Sequence, residues 1–494
     1  METRLASDYD NGYQPVVDRT PTHSRSQRPI SRPVVVGTLA ATDAILLIVA
    51  GTAAYGFAPP QGRFAGIVAG LATVLAAILA TNLMHLLHAY RFDIATCFRC
   101  GVWRVLLAWG VTVGVVAAFV LPAPGAMGAL DSWFARWAAS GVILLHLSRA
   151  VLRLLARRWD AAGRLHRKWA LVGTGKVAHQ FLQRLGGEAD SELEIVDVFD
   201  DLENHGRVWS MGYRIQPLTA LPDQIRQGRI DGVVVAVPVA EQWRIAEIVR
   251  HVGGLAIDVR LCLDEIGPGL GAAGGVSEVA GTTLLSVCEP PLRDWGRILK
   301  CTEDRVLATL ILILGSPVLM LIALLVRVDS AGPALFRQKR YGFNNELIEV
   351  FKFRTMYHHV SDADCEQQTQ RNDPRVTRIG RFLRRSSLDE LPQLFNVLLG
   401  EMSLVGPRPH AIATKADGVY FEDAVRDYER RHRIRPGITG WAQVNGLRGE
   451  TQTLEQIRRR FEFDLYYIEH WSLGFDLIIL LRTLRCGFWS RQAY

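Results

Sequence analysis

Residues 305–327 read R-V-L-A-T-L-I-L-I-L-G-S-P-V-L-M-L-I-A-L-L-V-R, and this run decides how the chain meets a membrane. Its apolar part, Val306 to Val326, is long enough for the roughly 20 helical residues that span a bilayer. Ser316-Pro317 lies in the middle, however, and proline removes a backbone donor and breaks or kinks a helix. The hydroxyl of Ser316 is a candidate partner for the carbonyl that the proline leaves free.

Both flanks of this run are basic. Arg293, Arg297, Lys300 and Arg305 precede it, and Arg327, Arg337, Lys339 and Arg340 follow it. Positive charge marks the cytoplasmic side of membrane segments, so both ends favour the same side. We therefore predict a re-entrant helix–break–helix at 306–326 that returns to the face it entered. A straight fifth span is the alternative.

Upstream, four apolar runs of membrane-spanning length occupy about 33–56, 64–87, 103–122 and 133–156. They predict four transmembrane helices within residues 33–158. A polar, arginine-bearing leader precedes them, and residues 1–32 are predicted to be a disordered basic tail. The connections richest in arginine place both ends of the bundle in the cytoplasm. Asp43, inside the first run, is either a functional intramembrane acid or a paired acid that packs helices.

Residues 165–266 alternate between strand and helix patterns, which predicts a parallel, Rossmann-like cytoplasmic domain. Gly173 and Gly175 form a G-x-G-x-x-A turn that could present backbone N–H groups to a phosphate, and Asp200 ends the second strand, where an acid suits a ribose. These three residues are therefore candidates for nucleotide binding. The alternative is a scaffold domain whose glycines serve packing.

A glycine-rich linker is predicted at 267–300, followed by an α-rich domain at 301–494. Within that domain we predict a basic β pair near 336–342 and 350–356, a helix from Asp373-Pro374 through Leu383, a charged helix at 453–469, and an amphipathic helix at 471–489. The predicted fold class is thus a multi-domain membrane protein: a four-helix transmembrane bundle, an α/β Rossmann-like domain and an α-rich monotopic domain with a re-entrant helix.

The stretch Arg384-Arg385-Ser386-Ser387-Leu388-Asp389-Glu390-Leu391-Pro392-Gln393 carries the chemistry of the last domain. Two adjacent carboxylates follow a dense field of arginines. Guanidinium groups match phosphate oxygens, so the stretch indicates a site for a phosphorylated substrate. A carboxylate is left over for a metal ion or for nucleophilic attack.

Five motifs in order carry a family resemblance. They are Ser316-Pro317, Phe351-Lys352-Phe353-Arg354, Ser387 to Gln393, Gly406-Pro407-Arg408-Pro409, and Arg435-Pro436-Gly437-Ile438-Thr439-Gly440-Trp441. Over about 290–494 the chain closely resembles the monotopic polyprenyl-phosphate glycosyl-1-phosphate transferases. Its upstream architecture resembles the large bacterial members that start exopolysaccharide or O-antigen synthesis. The run from Gly440 to Thr451 looks most like members that use UDP-glucose.

The resemblance implies transfer of a sugar 1-phosphate from a UDP-sugar to undecaprenyl phosphate with release of UMP. The run from Gly440 to Thr451 favours glucose 1-phosphate as the transferred group. Asp389 would be the nucleophile that forms a covalent phosphosugar intermediate, and Glu390, with Asp389, would hold Mg²⁺. Phosphate-binding roles fall to Arg384, Arg408 and Arg435, with help from Lys352 and Arg354.

The implied location is the bacterial inner membrane, as a multi-pass protein with its catalytic domain on the cytoplasmic face. A homodimer is a further possibility for the assembly, and galactose 1-phosphate or another sugar 1-phosphate is an alternative for the transferred group. Two other functions are alternatives: a Rossmann-based nucleotide-sugar oxidoreductase, and a non-enzymatic scaffold of a polysaccharide machine. The net charge of +7 also suits nucleic acid, but membrane runs and arginines gathered around carboxylates argue against it.

Overall fold

The computed structural model describes residues 29–57, 63–120, 129–187, 193–201, 209, 211–263, 275–358, 373–410, 415–416, 419–447 and 453–487. Most of the predicted disordered tail, residues 1–28, lies outside these ranges. The chain forms two compact units, one of residues 28–166 and one that contains residues 167–494. Each is described by itself.

The first unit is helical. Its helices are α1 (Arg32–Phe57), α2 (Arg63–Leu86), α3 (Phe92–Thr96), α4 (Phe98–Val120) and α5 (Ala129–Ala161). All but the short α3 are long and apolar enough to cross a membrane, and they correspond to the four predicted runs. Exposed apolar side chains cover their outer faces, as expected for helices that meet lipid.

A buried polar cluster links the first and last helices of this unit. Asp43 on α1 is fully buried and accepts hydrogen bonds from Arg149 Nη1 (2.5 Å), Ser148 Oγ (2.8 Å) and Tyr90 Oη (3.0 Å). An unpaired carboxylate would be strongly unfavourable among apolar helices. The structure thus agrees with the second alternative for Asp43, a paired acid that packs helices.

The second unit begins with a seven-stranded sheet in the order β3-β2-β1-β4-β5-β7-β6. The strands are β1 (Arg167–Val172), β2 (Leu193–Asp200), β3 (Ile215–Pro217), β4 (Gly232–Val235), β5 (Asp258–Leu263), β6 (Val276–Val279) and β7 (Thr282–Cys288); the crossing helices are α6 (Lys176–Gly186), α7 (Leu221–Arg226) and α8 (Gln242–Gly253). The first five strands are parallel, as predicted for a Rossmann-like domain. β7 and β6 add antiparallel strands inside the predicted linker 267–300, so part of that linker belongs to the sheet.

The apolar run 306–326 lies within one helix, α9 (Asp294–Asp329), which continues through Pro317. The predicted interruption of secondary structure at Ser316-Pro317 is therefore wrong. The carbonyl of Ile313 loses its partner because Pro317 has no N–H, and Ser316 Oγ donates to that carbonyl at 2.9 Å. The hydroxyl supplies the missing hydrogen bond, as predicted, and the helix continues.

The rest of the unit packs around α9. Its elements are β8 (Leu335–Tyr341), β9 (Leu347–Phe353), α10 (Arg378–Ser386), α11 (Gln393–Leu399), β10 (Ser403–Val405), β11 (Lys415–Ala416), β12 (Val419–Tyr420), α12 (Phe421–Ala424), β13 (Gly437–Thr439), α13 (Trp441–Val444), α14 (Leu454–Glu469) and α15 (Leu473–Gly487). β8 and β9 form the predicted antiparallel pair, and α14 and α15 match the last two predicted helices. α10 begins later than predicted because Thr377, not Asp373, caps it by accepting a hydrogen bond from the Gly380 N–H (2.9 Å).

Replacing Ser316 tests how α9 tolerates Pro317. Ser316→Ala should lower the free energy of unfolding by roughly 1 kcal/mol, because the Ile313 carbonyl loses the hydrogen bond from the hydroxyl. Pro317→Ala restores a backbone N–H, so Ser316→Ala should cost much less in that background. Thermal unfolding of the four proteins in one detergent measures the cycle; an equal loss in both backgrounds would contradict the role of the hydroxyl.

Candidate active site

Two adjacent acids occupy a sharp turn between α10 and α11. Ser387 ends α10 in the left-handed conformation (φ 57°, ψ 19°), and residues Leu388–Glu390 form a single 3₁₀ turn before Pro392 leads into α11. A non-glycine residue at positive φ is uncommon and is held by its surroundings. This turn directs Asp389 and Glu390 towards β9 and the segment after β10.

Glu390 is the buried centre of an ion-pair cluster. Its Oε1 accepts hydrogen bonds from Lys352 Nζ (3.0 Å) and Arg408 Nη2 (2.5 Å), and its Oε2 accepts one from Arg408 Nη1 (3.0 Å). Burial opposes ionisation of this side chain, which is 8% exposed, but the charges of Arg408 and Lys352 outweigh burial. They hold the pKa of Glu390 well below its ordinary value, so it is a carboxylate at neutral pH.

Asp389 differs from its neighbour. Its carboxylate makes no hydrogen bond or ion pair with the residues that the structure describes. Burial and the adjacent negative charge of Glu390 raise its pKa to about 6, against the opposing charges of Lys352, Arg384 and Arg408. Asp389 is thus mostly ionised at neutral pH and has unoccupied oxygens next to three cations, which suits a nucleophile.

Arg408 is placed by a close contact between two short parallel strands. β10 and β13 pair just before the Gly-Pro-Arg-Pro segment, and a Cβ added to Gly437 would lie 2.1 Å from the backbone nitrogen of Gly406. Only glycine allows this approach. The carbonyl of Arg408 accepts a hydrogen bond from the buried Arg431 (2.8 Å), which also pairs with Asp464 (2.7 Å). Both its backbone and its guanidinium are therefore fixed.

Two further cations predicted to bind phosphate lie at this cluster. Lys352, on β9, contacts Glu390 directly, and burial lowers its pKa despite that partner. Arg384, at the end of α10, donates from Nε to Thr355 Oγ1 (2.8 Å), and its charge acts on Asp389. With Arg408, these side chains bring three of the five predicted phosphate ligands to one place.

Arg354 has a different role from the predicted one. It is 3% exposed, and its guanidinium donates to the carbonyls of Val326 (3.3 Å), Ser330 (2.6 Å) and Ala331 (3.0 Å). These carbonyls lie at the end of α9, where helix carbonyls lack partners. Arg354 therefore caps α9. Arg354 follows the last residue of β9 and stands two positions after Lys352 in one motif, so the sequence could not distinguish the buried cap from the ligand.

Arg435 also lies away from the two acids. Its Nη2 and that of Arg305 are each 3.8 Å from the position of a Cβ on Gly400, which ends α11. Asp389 and Gly400 stand at opposite ends of the segment made of the 3₁₀ turn and α11. The motif that contains Arg435 still serves the site, because its glycines set the contact that places Arg408.

Two of the three predicted nucleotide-binding residues of the Rossmann-like domain make close internal contacts. Asp200 is 1% exposed and accepts hydrogen bonds from Thr174 Oγ1 (2.5 Å) and Arg244 Nη2 (2.5 Å). Gly173 has φ 111°, and a Cβ there would lie 2.7 Å from the Ala236 carbonyl, so this glycine is required for packing. Gly175, at the start of α6, has open space around it. The packing alternative accounts for Gly173 and Asp200.

Asp389 and Glu390 fit magnesium only together with a substrate. Within the described residues, no group of three or more His, Cys, Asp or Glu side chains is placed to hold a metal ion. Magnesium commonly takes one or two carboxylates and completes its shell with substrate phosphates and water. Asp389 has free oxygens for this purpose, whereas both oxygens of Glu390 already accept hydrogen bonds.

Sequence reasoning missed the residues that hold the cations in place. Arg431 and Asp464 are buried behind Arg408, and Thr355 orients Arg384. Arg431 stands in the run Glu429-Arg430-Arg431-His432-Arg433, which reads as a solvated surface. Its spacing from Asp464 gives no signal, because the two lie on separate elements.

Two family models match the chain. Residues 295–490 match the bacterial sugar transferase family, and residues 85–262 match a CoA-binding domain. The first match contains the whole cluster around Asp389. The second covers most of the Rossmann-like sheet.

Curated relatives extend the similarity beyond these domains. The chain is 40% identical to an undecaprenyl-phosphate glucose phosphotransferase of Komagataeibacter xylinus, covering 72% of this chain and 66% of that protein. It is 39% identical to a UDP-glucose:undecaprenyl-phosphate glucose-1-phosphate transferase of Escherichia coli K12, covering 74% and 77%. A UDP-N-acetylgalactosamine-undecaprenyl-phosphate N-acetylgalactosaminephosphotransferase of Aeromonas hydrophila is 42% identical over 38% of this chain and 44% of its own length.

Proposed function

The chain belongs to the bacterial sugar transferase family of polyprenyl-phosphate sugar-1-phosphate transferases, and we propose that it transfers glucose 1-phosphate from UDP-glucose to undecaprenyl phosphate with release of UMP. The observation that carries this proposal is the contrast between two adjacent carboxylates. Glu390 is fully paired with cations, whereas Asp389 is ionised and unpaired beside them. The product would be the first lipid-linked intermediate of an exopolysaccharide.

The proposed reaction has two displacements. An Asp389 carboxylate oxygen attacks the β-phosphorus of UDP-glucose, and the bond from that phosphorus to the bridging oxygen breaks. UMP leaves with the bonding electron pair, and the glucose phosphate is held as an acyl phosphate. An oxygen of undecaprenyl phosphate then attacks the same phosphorus, which releases the Asp389 carboxylate and yields the glucose-bearing lipid diphosphate.

Three cations stabilise the negative charge that develops on the phosphates. Arg384 and Arg408 offer planar donors that match phosphate oxygens, and Lys352 adds a compact charge. Glu390 holds Arg408 and Lys352 beside Asp389 before the substrate arrives. Cations that are already in place need no rearrangement when negative charge develops in the transition state, and this makes their stabilisation of that state effective.

We propose that Mg²⁺ serves the reaction, held by Asp389, with Glu390 beside it, and by the phosphates of the substrate. When bound, it would neutralise pyrophosphate charge. An ion that engaged Glu390 directly would share that carboxylate with Arg408 and Lys352, so Asp389 is the more available ligand.

The packing of the membrane helix supports a return of the chain to one face of the membrane, and we propose that this is the cytoplasmic face of the bacterial inner membrane. Both halves of α9 pack on the same globular domain: Ala308, before Pro317, lies in one apolar core of that domain, and Ile322 and Val326, after it, lie in another with Phe353. Ile313 and Leu314, near the centre, are 64% and 79% exposed. A straight span would separate its ends by the full bilayer, so we propose that residues 306–326 dip into the membrane and return, bending at Pro317.

Other functions have weaker support. The Aeromonas relative keeps N-acetylgalactosamine 1-phosphate open as cargo, and galactose 1-phosphate stays an alternative. An oxidoreductase would need a free dinucleotide site, but Asp200 is engaged by Thr174 and Arg244. A pure scaffold would leave the cluster around Asp389 unexplained.

Release of UMP tests the proposed reaction. The purified protein in detergent should release UMP from UDP-glucose when undecaprenyl phosphate and Mg²⁺ are present, faster than from UDP-galactose or UDP-N-acetylgalactosamine. Asp389→Asn should lower turnover at least a thousandfold, because an amide cannot replace the nucleophile. Near-normal turnover by Asp389→Asn, or no UMP from any UDP-sugar, would refute the proposal.

The pKa of Asp389 predicts a pH profile. Protonation removes the nucleophile, so kcat/KM for UDP-glucose should fall about tenfold per pH unit below about pH 6 and level off above it. The ratio kcat/KM for UDP-glucose reports only the first displacement, so titration of the lipid phosphate does not affect this profile. Lys352 lowers the pKa of Asp389, and Lys352→Gln should therefore move the fall to higher pH; an unchanged profile would contradict the assignment.

Cysteine labelling tests the path of α9. Single cysteines at Thr302 and Val328, both exposed, are introduced into a variant without native cysteines. A membrane-impermeant maleimide added to intact spheroplasts should label neither, and both should react after lysis. Labelling of either site in intact spheroplasts would rule out a cytoplasmic location for that end of the helix.

A further inference from the structure

One of the contacts between the Rossmann-like domain and the catalytic domain is made by a tight turn. Residues Phe343–Asn345 join β8 to β9, with Asn344 (φ 54°) and Asn345 (φ 60°) in the left-handed conformation. Asn344 is a buried polar residue, 7% exposed. Its Oδ1 accepts a hydrogen bond from the Ala256 N–H (2.8 Å), and its carbonyl accepts one from Arg226 Nε (3.1 Å). Ala256 and Arg226 both belong to the Rossmann-like domain.

A second contact lies beside this turn. A Cβ on Gly254 would be 2.9 Å from Cβ of Glu429, so the α8–β5 loop lies directly against the 3₁₀ helix Tyr428–Arg433. Asn345 bonds His432 of the same 3₁₀ helix, and the His432 ring stacks on Tyr341 at 5.8 Å. The turn and the 3₁₀ helix therefore form one joint, and the Rossmann-like domain holds both.

Each side of the joint leads to one cation at Glu390. β9 follows the turn and carries Lys352, whose Nζ donates a hydrogen bond to Glu390 Oε1 (3.0 Å). The 3₁₀ helix carries Arg431, which donates a hydrogen bond to the carbonyl of Arg408 (2.8 Å). A displacement of the turn would thus move both partners of Glu390 together.

The joint uses the edge of the domain opposite its nucleotide-type crevice. Arg226 ends α7 and Ala256 precedes β5, so both lie where helices end and parallel strands begin. Gly175 lies at the carboxyl end of β1, where ligands of such sheets bind. The crevice edge is consequently not used by these contacts.

We propose that Asn344 is a positioning residue through which the Rossmann-like domain sets the location of Lys352 and Arg408. This proposal rests on the transferase function proposed above. Asn344 has two separable properties. Its left-handed backbone is one that glycine also adopts, and its side-chain oxygen is the acceptor for Ala256.

Two substitutions separate these properties. Asn344→Gly keeps the backbone conformation and removes the acceptor, whereas Asn344→Asp keeps an acceptor and still tolerates the left-handed region. Asn344→Gly should lower kcat for UMP release about tenfold with KM for UDP-glucose unchanged, because displaced cations act mainly in the transition state. Asn344→Asp should restore most of the wild-type kcat. Ala280→Gly, at a left-handed position in the β6–β7 turn, controls for added glycine and should leave kcat unchanged.

A cycle with Arg226 tests whether the Rossmann-like domain transmits the effect. Arg226→Met removes the second hydrogen bond of the joint, and its loss of kcat should be less than multiplicative with that of Asn344→Gly. Asp223→Asn removes only the negative charge of the exposed side chain that pairs with Arg226 and should be near wild type.

The outcomes separate the two proposals. Wild-type protein that releases no UMP refutes the proposed function. Active wild type with unchanged kcat in Asn344→Gly refutes the positioning role. A kcat of Asn344→Asp as low as that of Asn344→Gly also refutes the positioning role. A fall in the kcat of Asn344→Gly that comes with a rise in KM and a lowered melting temperature would indicate general destabilisation and would refute it as well.

Discussion

The site depends on one buried carboxylate, Glu390, and its two cationic partners. Removing a charge from water costs several kcal/mol, and only close, well-oriented partners offset that cost. Arg408 meets both oxygens of Glu390, and Lys352 meets one of them. This pairing keeps Glu390 ionised in a buried position. The negative charge of Glu390 in turn adds to burial in raising the pKa of Asp389 to about 6, which leaves that neighbour a better proton acceptor than an ordinary aspartate.

The partners of Glu390 come from distant segments, so the site forms only when β9, the turn after α10 and the segment after β10 meet. Lys352 arrives on β9, and Arg408 follows a strand contact that Gly406 and Gly437 make possible. Arg354, two residues beyond Lys352, caps α9 and so joins the membrane helix to the end of β9. The Rossmann-like domain reaches the cluster through the turn at Asn344. The membrane helix, the catalytic cluster and the Rossmann-like domain all contact the chain segment from Asn344 to Arg354.

The membrane helix combines two physical constraints at one dipeptide. Pro317 removes a hydrogen bond from an apolar helix, and an unpaired carbonyl is unfavourable there. Ser316 supplies a donor from the same turn, so α9 continues instead of breaking. The sequence identified both residues and the donor, but it suggested an interrupted helix, because the effect of one substituted hydrogen bond depends on geometry that a sequence does not contain.

The sequence determined which segments exist and which residues carry charge and reactivity. Hydrophobic length marked four spans and the run at 306–326, strand–helix alternation marked the Rossmann-like domain, and the acids Asp389 and Glu390 stood out among arginines. Tertiary structure decided which arginines act on those acids. Arg354 shares a motif with Lys352, and Arg435 belongs to another of the five motifs, yet their guanidinium groups lie at the ends of α9 and α11. It also decided that Asp200 is engaged by Arg244 and that Arg431 is buried. The physical reason is that charge and spacing are local properties, whereas burial and pairing arise only when distant segments meet.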